Sequence, residues 1–67
     1  MQKELERVET VFDKKYHEEI LKLFWSSFKY MDTRRFRFLV DEVLAASKNM
    51  PNLNDFKKIN LEIKNLS

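Results

Sequence analysis

Apolar residues recur along this chain at spacings of three and four, and nowhere do they alternate with polar ones over a useful length. That pattern predicts amphipathic helices and no strands. Leu5, Val8 and Phe12 mark a first helix. From about Lys14 to Met31 the apolar positions crowd together. At about 100° per residue, Tyr16, Ile20, Leu21, Leu23, Phe24, Ser27, Phe28, Tyr30 and Met31 cover well over half the circumference. Glu18, Glu19, Lys22, Ser26 and Lys29 fill the narrow remainder. A helix apolar round most of its surface belongs inside a bundle, so this segment is expected to be the central helix. Phe36, Leu39, Val40, Val43, Leu44 and Ser47 trace one face of a third helix, and Phe56, Ile59, Ile63 and Leu66 the stripe of a fourth.

The chain has no glycine and one proline, so Asn, Asp and Pro51 must make its turns. Asp32 or Thr33 caps the third helix, which runs to about Lys48 and ends at Asn49-Met50-Pro51, where proline forces its predecessor out of the α region. Asn52 caps the fourth, with Asp55 at the capping-box position. The first boundary is less marked, because the stripe Leu5, Val8, Phe12, Tyr16, Ile20 runs on without a break. A break near Asp13, acting as an N-cap, is favoured, since one uninterrupted helix leaves Leu5 to Phe12 little to pack against. The expected fold is all-α: a small compact bundle of four short helices, three if the first two are continuous, forming a single domain over residues 1–67.

Composition narrows the chemistry. Apolar residues make up 43% of 67 positions, enough for one small core worth roughly 3–5 kcal/mol of stability. Thirteen Lys and Arg face eleven Asp and Glu, a net charge of +2, which describes a highly charged surface rather than a strongly basic one. With no cysteine there is no disulfide, thiolate nucleophile or Cys zinc site. A single histidine argues against a His-centred triad or metal site, and the lack of glycine excludes a phosphate-cradling loop. The chain is therefore expected to be no enzyme and to need no cofactor. Its apolar runs fall far short of the roughly 18–20 residues of a membrane span. The N-terminal MQKELERVE lacks the apolar core of a signal peptide. A cytoplasmic protein without a membrane partner is expected. Nine Lys against four Arg, with five Asn, is the bias of AT-rich genomes and points to a bacterial or phage source.

Few residues stand out as carriers of function. His17 lies near the start of the second helix, with nothing around it to form a triad. Glu18 and Glu19 are helix neighbours about 100° apart and diverge, so they read as a solvated face. Arg34, Arg35 and Arg37 interleave with Phe36 and Phe38 and oppose the macrodipole, which prefers anions at a helix start. Phe38 sits about 200° round the helix from Phe36, off the core face. An exposed aromatic flanked by arginines has the composition of an interface hot spot. The plainer alternative packs Phe38 against the first or last helix and pairs the arginines with Asp32, Asp41 or Glu42. Trp25 lies at the edge of the second helix's apolar face, either as a core residue with one wet edge or as a partner anchor. Lys57, Lys58 and Lys64 form a solvated face, which would join the arginines in one basic side if the two helices aligned. The residues nominated for partner binding are Trp25, Arg34, Arg35, Arg37 and Phe38.

From Ile20 to Ile59 the order of features is specific. An aromatic helix with Trp25 and Phe28 breaks at Asp32; an amphipathic helix follows with Phe36, Val40, Val43, Leu44 and Ser47; a Pro51-x-Leu53 turn then opens a helix with Phe56 and Ile59. This resembles the N-terminal helical domain of phage replicative-helicase loader and inhibitor proteins. The resemblance implies a non-enzymatic adaptor that binds a bacterial replication factor, the hexameric replicative helicase or its loader ATPase, and modulates helicase loading. Trp25 and Pro51 match that family as structural positions. In that family helicase contact depends on a flexible C-terminal tail, whereas this sequence ends at Ser67, directly after its last predicted helix, so no functional residue carries over. Two other readings stand beside it. One is a small DNA-binding transcriptional regulator using the third helix and its Arg cluster. The other is a self-associating structural module with Leu5, Val8 and Phe12 as the seam. A monomer or weak homodimer is expected.

Overall fold

A computed structural model describes residues 2–66, with side chains through residue 65. Four helices account for most of the described residues: α1 (Gln2–Phe12), α2 (Glu18–Phe28), α3 (Thr33–Ala46) and α4 (Leu53–Leu66). The radius of gyration is 11.1 Å, against about 11 Å for a compact globule of this length. The architecture is an all-α bundle.

Local chemistry sets each boundary. α1 stops because Asp13 turns into the left-handed region, at φ 53°. The Lys14 amide then donates to the Glu9 carbonyl at 3.1 Å and the Asp13 amide to the Thr10 carbonyl at 3.4 Å, the paired bonds of a Schellman motif. The expected break is therefore present, but Asp13 ends α1 and does not begin α2. His17 occupies the N-cap of α2 and supplies no side-chain cap bond. At α3 the Asp32 carboxylate accepts the Arg34 amide at 3.1 Å. At α4 the capping box closes in both directions: Asn52 Oδ1 accepts the Asp55 amide at 2.9 Å, and Asp55 Oδ2 accepts the Asn52 amide at 3.0 Å.

The core draws on all four helices: Leu5 and Val8, then Phe24 and Phe28, then Phe36, Leu39, Val40 and Val43, and last Phe56. Four phenylalanine rings form its centre. Phe56 meets Phe24 edge-on at 4.8 Å and stacks on Phe36 at 6.3 Å, while Phe28 lies 5.6 Å from Phe36. Edge-on and offset contacts of this kind add roughly 0.5–1.5 kcal/mol each to simple burial.

α3, and not α2, is the central helix. It packs against both α1 and α4, while α2 lies against α4. Only Phe24 and Phe28 of α2 are buried, whereas Leu23 and Trp25 stay exposed. A chain this short has too few helices to surround α2, so its apolar excess faces outward. Ile59 and Ile63 of α4 are half-buried beside Phe56, and the Leu66 side chain lies outside the described residues.

Two ion pairs bridge α1 and α3 at the surface, beside the buried contact made by Leu5 and Val8. Arg37 Nε lies 3.5 Å from Glu4 Oε1, and Arg7 Nη2 lies 2.5 Å from Asp41 Oδ1. Residue order rises together along both helices, so α1 and α3 run in the same direction. On the opposite side the Tyr16 hydroxyl donates to the Pro51 carbonyl, tying the α1–α2 loop to the α3–α4 loop.

Candidate partner-binding site

The α3 N-terminus resolves its own electrostatic conflict. Asp32 places a carboxylate where the helix dipole prefers an anion, and the three arginines that follow leave the axis in different directions. Arg37 turns toward α1, where it meets a Glu4 side chain that is only 11% exposed. Arg37 therefore has a carboxylate within reach on a neighbouring helix, although most of its own side chain stays in water. Arg35 turns the other way: its Nη2 lies 3.5 Å from Asn60 Oδ1 on α4. Arg34 is exposed, and its side chain has no ion pair among the described residues. Among the described residues, no arginine pairs with Asp32, Asp41 or Glu42 through its side chain, apart from Arg7 of α1, which takes Asp41.

Phe38 is 47% exposed. It stands one helical turn beyond Arg34 and Arg35, on the face of α3 turned away from Phe36. Phe38 thus shares its side of α3 with Arg34 and Arg35, while Arg37 reaches toward Glu4 with 61% of its own side chain still exposed. The Arg35–Asn60 contact also joins this surface to α4. Lys57 and Lys64, three residues before and four after Asn60, share its side of that helix, and Leu61 follows it with 60% of its surface exposed. Asn60 and Leu61 escaped the sequence reading. The solvated face of Lys57, Lys58 and Lys64 was legible from the sequence, but only tertiary packing shows which helix it adjoins.

Trp25 belongs elsewhere. It is 58% exposed and forms one lip of a groove between α1 and α2, whose floor includes Leu5 and Leu21. Neither Phe38 nor any of the three α3 arginines lines that groove. Lys29 Nζ lies 5.0 Å from the centre of the Trp25 ring and 5.1 Å from that of Tyr30, cation–π distances on an exposed surface. The seam proposed for self-association is also displaced, because Leu5 and Val8 are buried in the protein's own core.

The remaining candidates are dispersed. His17, Glu18 and Glu19 are exposed at the start of α2. Tyr16 has its hydroxyl pushed up to about 12, first by burial and then by the negative charges of Glu9 and Asp55. Its amide donates to Glu9 Oε2 at 2.7 Å, so Glu9 also holds the loop. Among the described residues, no three His, Cys, Asp or Glu side chains come together in a way that would hold a metal ion, and no helix is long and apolar enough to cross a membrane.

No family model, curated protein or solved structure matches the chain.

Proposed function

We propose that this chain is a non-enzymatic protein-interaction module, encoded by a phage or mobile element and working in the bacterial cytoplasm. Its partner is a replication factor, the replicative helicase or its loader ATPase, and its effect is to modulate helicase loading. The observation that carries the module reading is Phe38. A large aromatic ring is left almost half exposed beside Arg34 and Arg35, in a core that has buried four other phenylalanines. Exposed aromatic and arginine side chains are what protein interfaces use as anchors. The choice of partner rests on the resemblance of residues 20–59 to helicase loader and inhibitor domains.

A DNA-binding regulator is the second reading, favoured by the contact that brings Arg35 beside the Lys57 and Lys64 row. Against it, Arg37 is engaged with Glu4, and Asp41 and Glu42 follow on the same helix.

Retention of proteins from nuclease-treated bacterial lysate tests the proposal, with the tagged chain and an Arg34→Ala/Arg35→Ala/Phe38→Ala variant as baits. The wild type should retain the helicase or its loader and the variant should not, at equal helicity and nearly equal Tm. Equal retention by both removes this surface. Binding to duplex DNA that falls by orders of magnitude between about 50 and about 200 mM salt selects the regulator instead.

A further inference from the structure

The groove between α1 and α2 is separate from the surface just described, and the inference it carries goes beyond that reading. Leu5, almost wholly covered, and half-buried Leu21 close its floor, while Trp25 stands at its lip with more than half its surface in water. Its net charge does not select a partner, because the rim carries Glu18 as well as Lys22. The order of the charges does. Along the Trp25 side of α2 run Glu18, Lys22, Trp25 and Lys29, spaced four, three and four apart and so on one stripe. The acid lies at the N-terminal end and the bases toward the C-terminal end.

We propose that this groove is a self-association surface occupied by the same groove of a second copy, with the two α2 helices antiparallel. A two-fold axis between residues 23 and 24 sets Glu18 opposite Lys29 of the second copy and Lys22 opposite its Trp25. Each indole carries its own Lys29 ammonium at 5.0 Å on one face, offers the other face to the Lys22 stem from across the interface, and reaches the apolar floor of the facing groove. Every charge on the stripe meets an unlike charge or an aromatic face. Parallel pairing would oppose Glu18 to Glu18 and each lysine to itself. A closed two-fold dimer needs a patch complementary to itself, and this ordering provides one. The axis also sets the helix dipoles head to tail, which places opposite ends together. The paired helices are short, each about 16 Å long. The contact therefore belongs to the small, transient class, with a Kd on the order of 10⁻⁵ to 10⁻⁴ M.

Sedimentation equilibrium on the full chain from about 10 μM to about 1 mM tests this. The mass should rise from 8.2 kDa toward twice that value, and Trp25 emission should move to shorter wavelength over the same range. Trp25→Ser should hold the mass at the monomer value. Lys29→Glu, on an exposed side chain, should raise Kd about tenfold by opposing two like pairs. Combining it with Glu18→Lys should restore association, because the swap reverses both ends of each pair. Circular dichroism establishes that every variant is folded. A monomer throughout the range overturns the proposal, as does continued growth beyond a dimer or failure of the charge swap to restore binding. Loss of partner retention by the Phe38 surface leaves this result unaffected, since the two sites share no residue.

Discussion

Asp13 holds a left-handed backbone, φ 53°, in a chain that has no glycine to place there. Asp tolerates this region better than most residues, yet its Cβ still crowds the following carbonyl. Asp13→Gly removes that crowding and gives back part of the gain as unfolded-chain entropy. The net effect should be a gain of about 0.5–1 kcal/mol, seen as a higher urea midpoint; an unchanged or lower midpoint would mean that the carboxylate itself matters. Tyr16 gives a second test at a single side chain. Its hydroxyl is raised from 10.0 to about 12 by burial and by Glu9 and Asp55, so folding favours the neutral phenol. The stability this contributes is complete below about pH 10 and is lost as pH rises through about 12. In a Tyr30→Phe background, phenolate absorbance should report a midpoint near 12 for the remaining tyrosine, with loss of helicity following it. A midpoint near 10 would show that Tyr16 is solvated.

The helix ends differ in how well they are capped, and their stabilities should differ accordingly. α4 starts with a reciprocal box between Asn52 and Asp55, whereas α2 starts at His17 with no side-chain bond to its first turn. Asn52→Ala should cost about 1 kcal/mol and His17→Ser should add a similar amount. In a domain of this size each shifts Tm by about 4–8 °C, in opposite directions. Equal and small effects at both sites would show that the cap bonds exchange freely with water. These caps also explain what could be read from sequence. Asp32, Asn52 and Asp55 act within three residues of themselves, and the α3 stripe from Phe36 to Val43 needs only helical periodicity, so both were legible. The placement of α2 was not. Periodicity counts apolar positions, but burial depends on what covers them, and here Leu23 and Trp25 keep half or more of their surface exposed. The arginines show the same limit. Arg34, Arg35 and Arg37 lie within four positions, yet the helices flanking α3 decide that one meets Glu4, one meets Asn60 and one meets solvent.

Phenylalanine plays two opposite parts in this bundle, and the contrast joins its stability to its proposed function. Phe56 is wholly buried, and its ring lies within 6.4 Å of Phe24, Phe28 and Phe36. Phe38 is the same residue type at the surface. Truncating a buried phenylalanine to alanine costs about 3–5 kcal/mol, because both the transfer energy and the packing round the cavity are lost. A cysteine-free domain of this length has a total stability of roughly the same size, about 3–5 kcal/mol. Among the described residues one core cluster holds all four helices together. Phe56→Ala should therefore leave no cooperative thermal transition by circular dichroism, while Phe56→Leu, which keeps most of the volume, should retain one at lower temperature. Phe38→Ala should melt within a few degrees of the wild type, in keeping with an exposed position away from any cap or cavity. If Phe38→Ala proved as damaging as Phe56→Ala, the exposed ring would belong to the fold, and the surface it shares with Arg34 and Arg35 would lose its claim to a partner. The two substitutions remove the same atoms, so what separates them is whether the ring's partners lie inside the bundle or outside it.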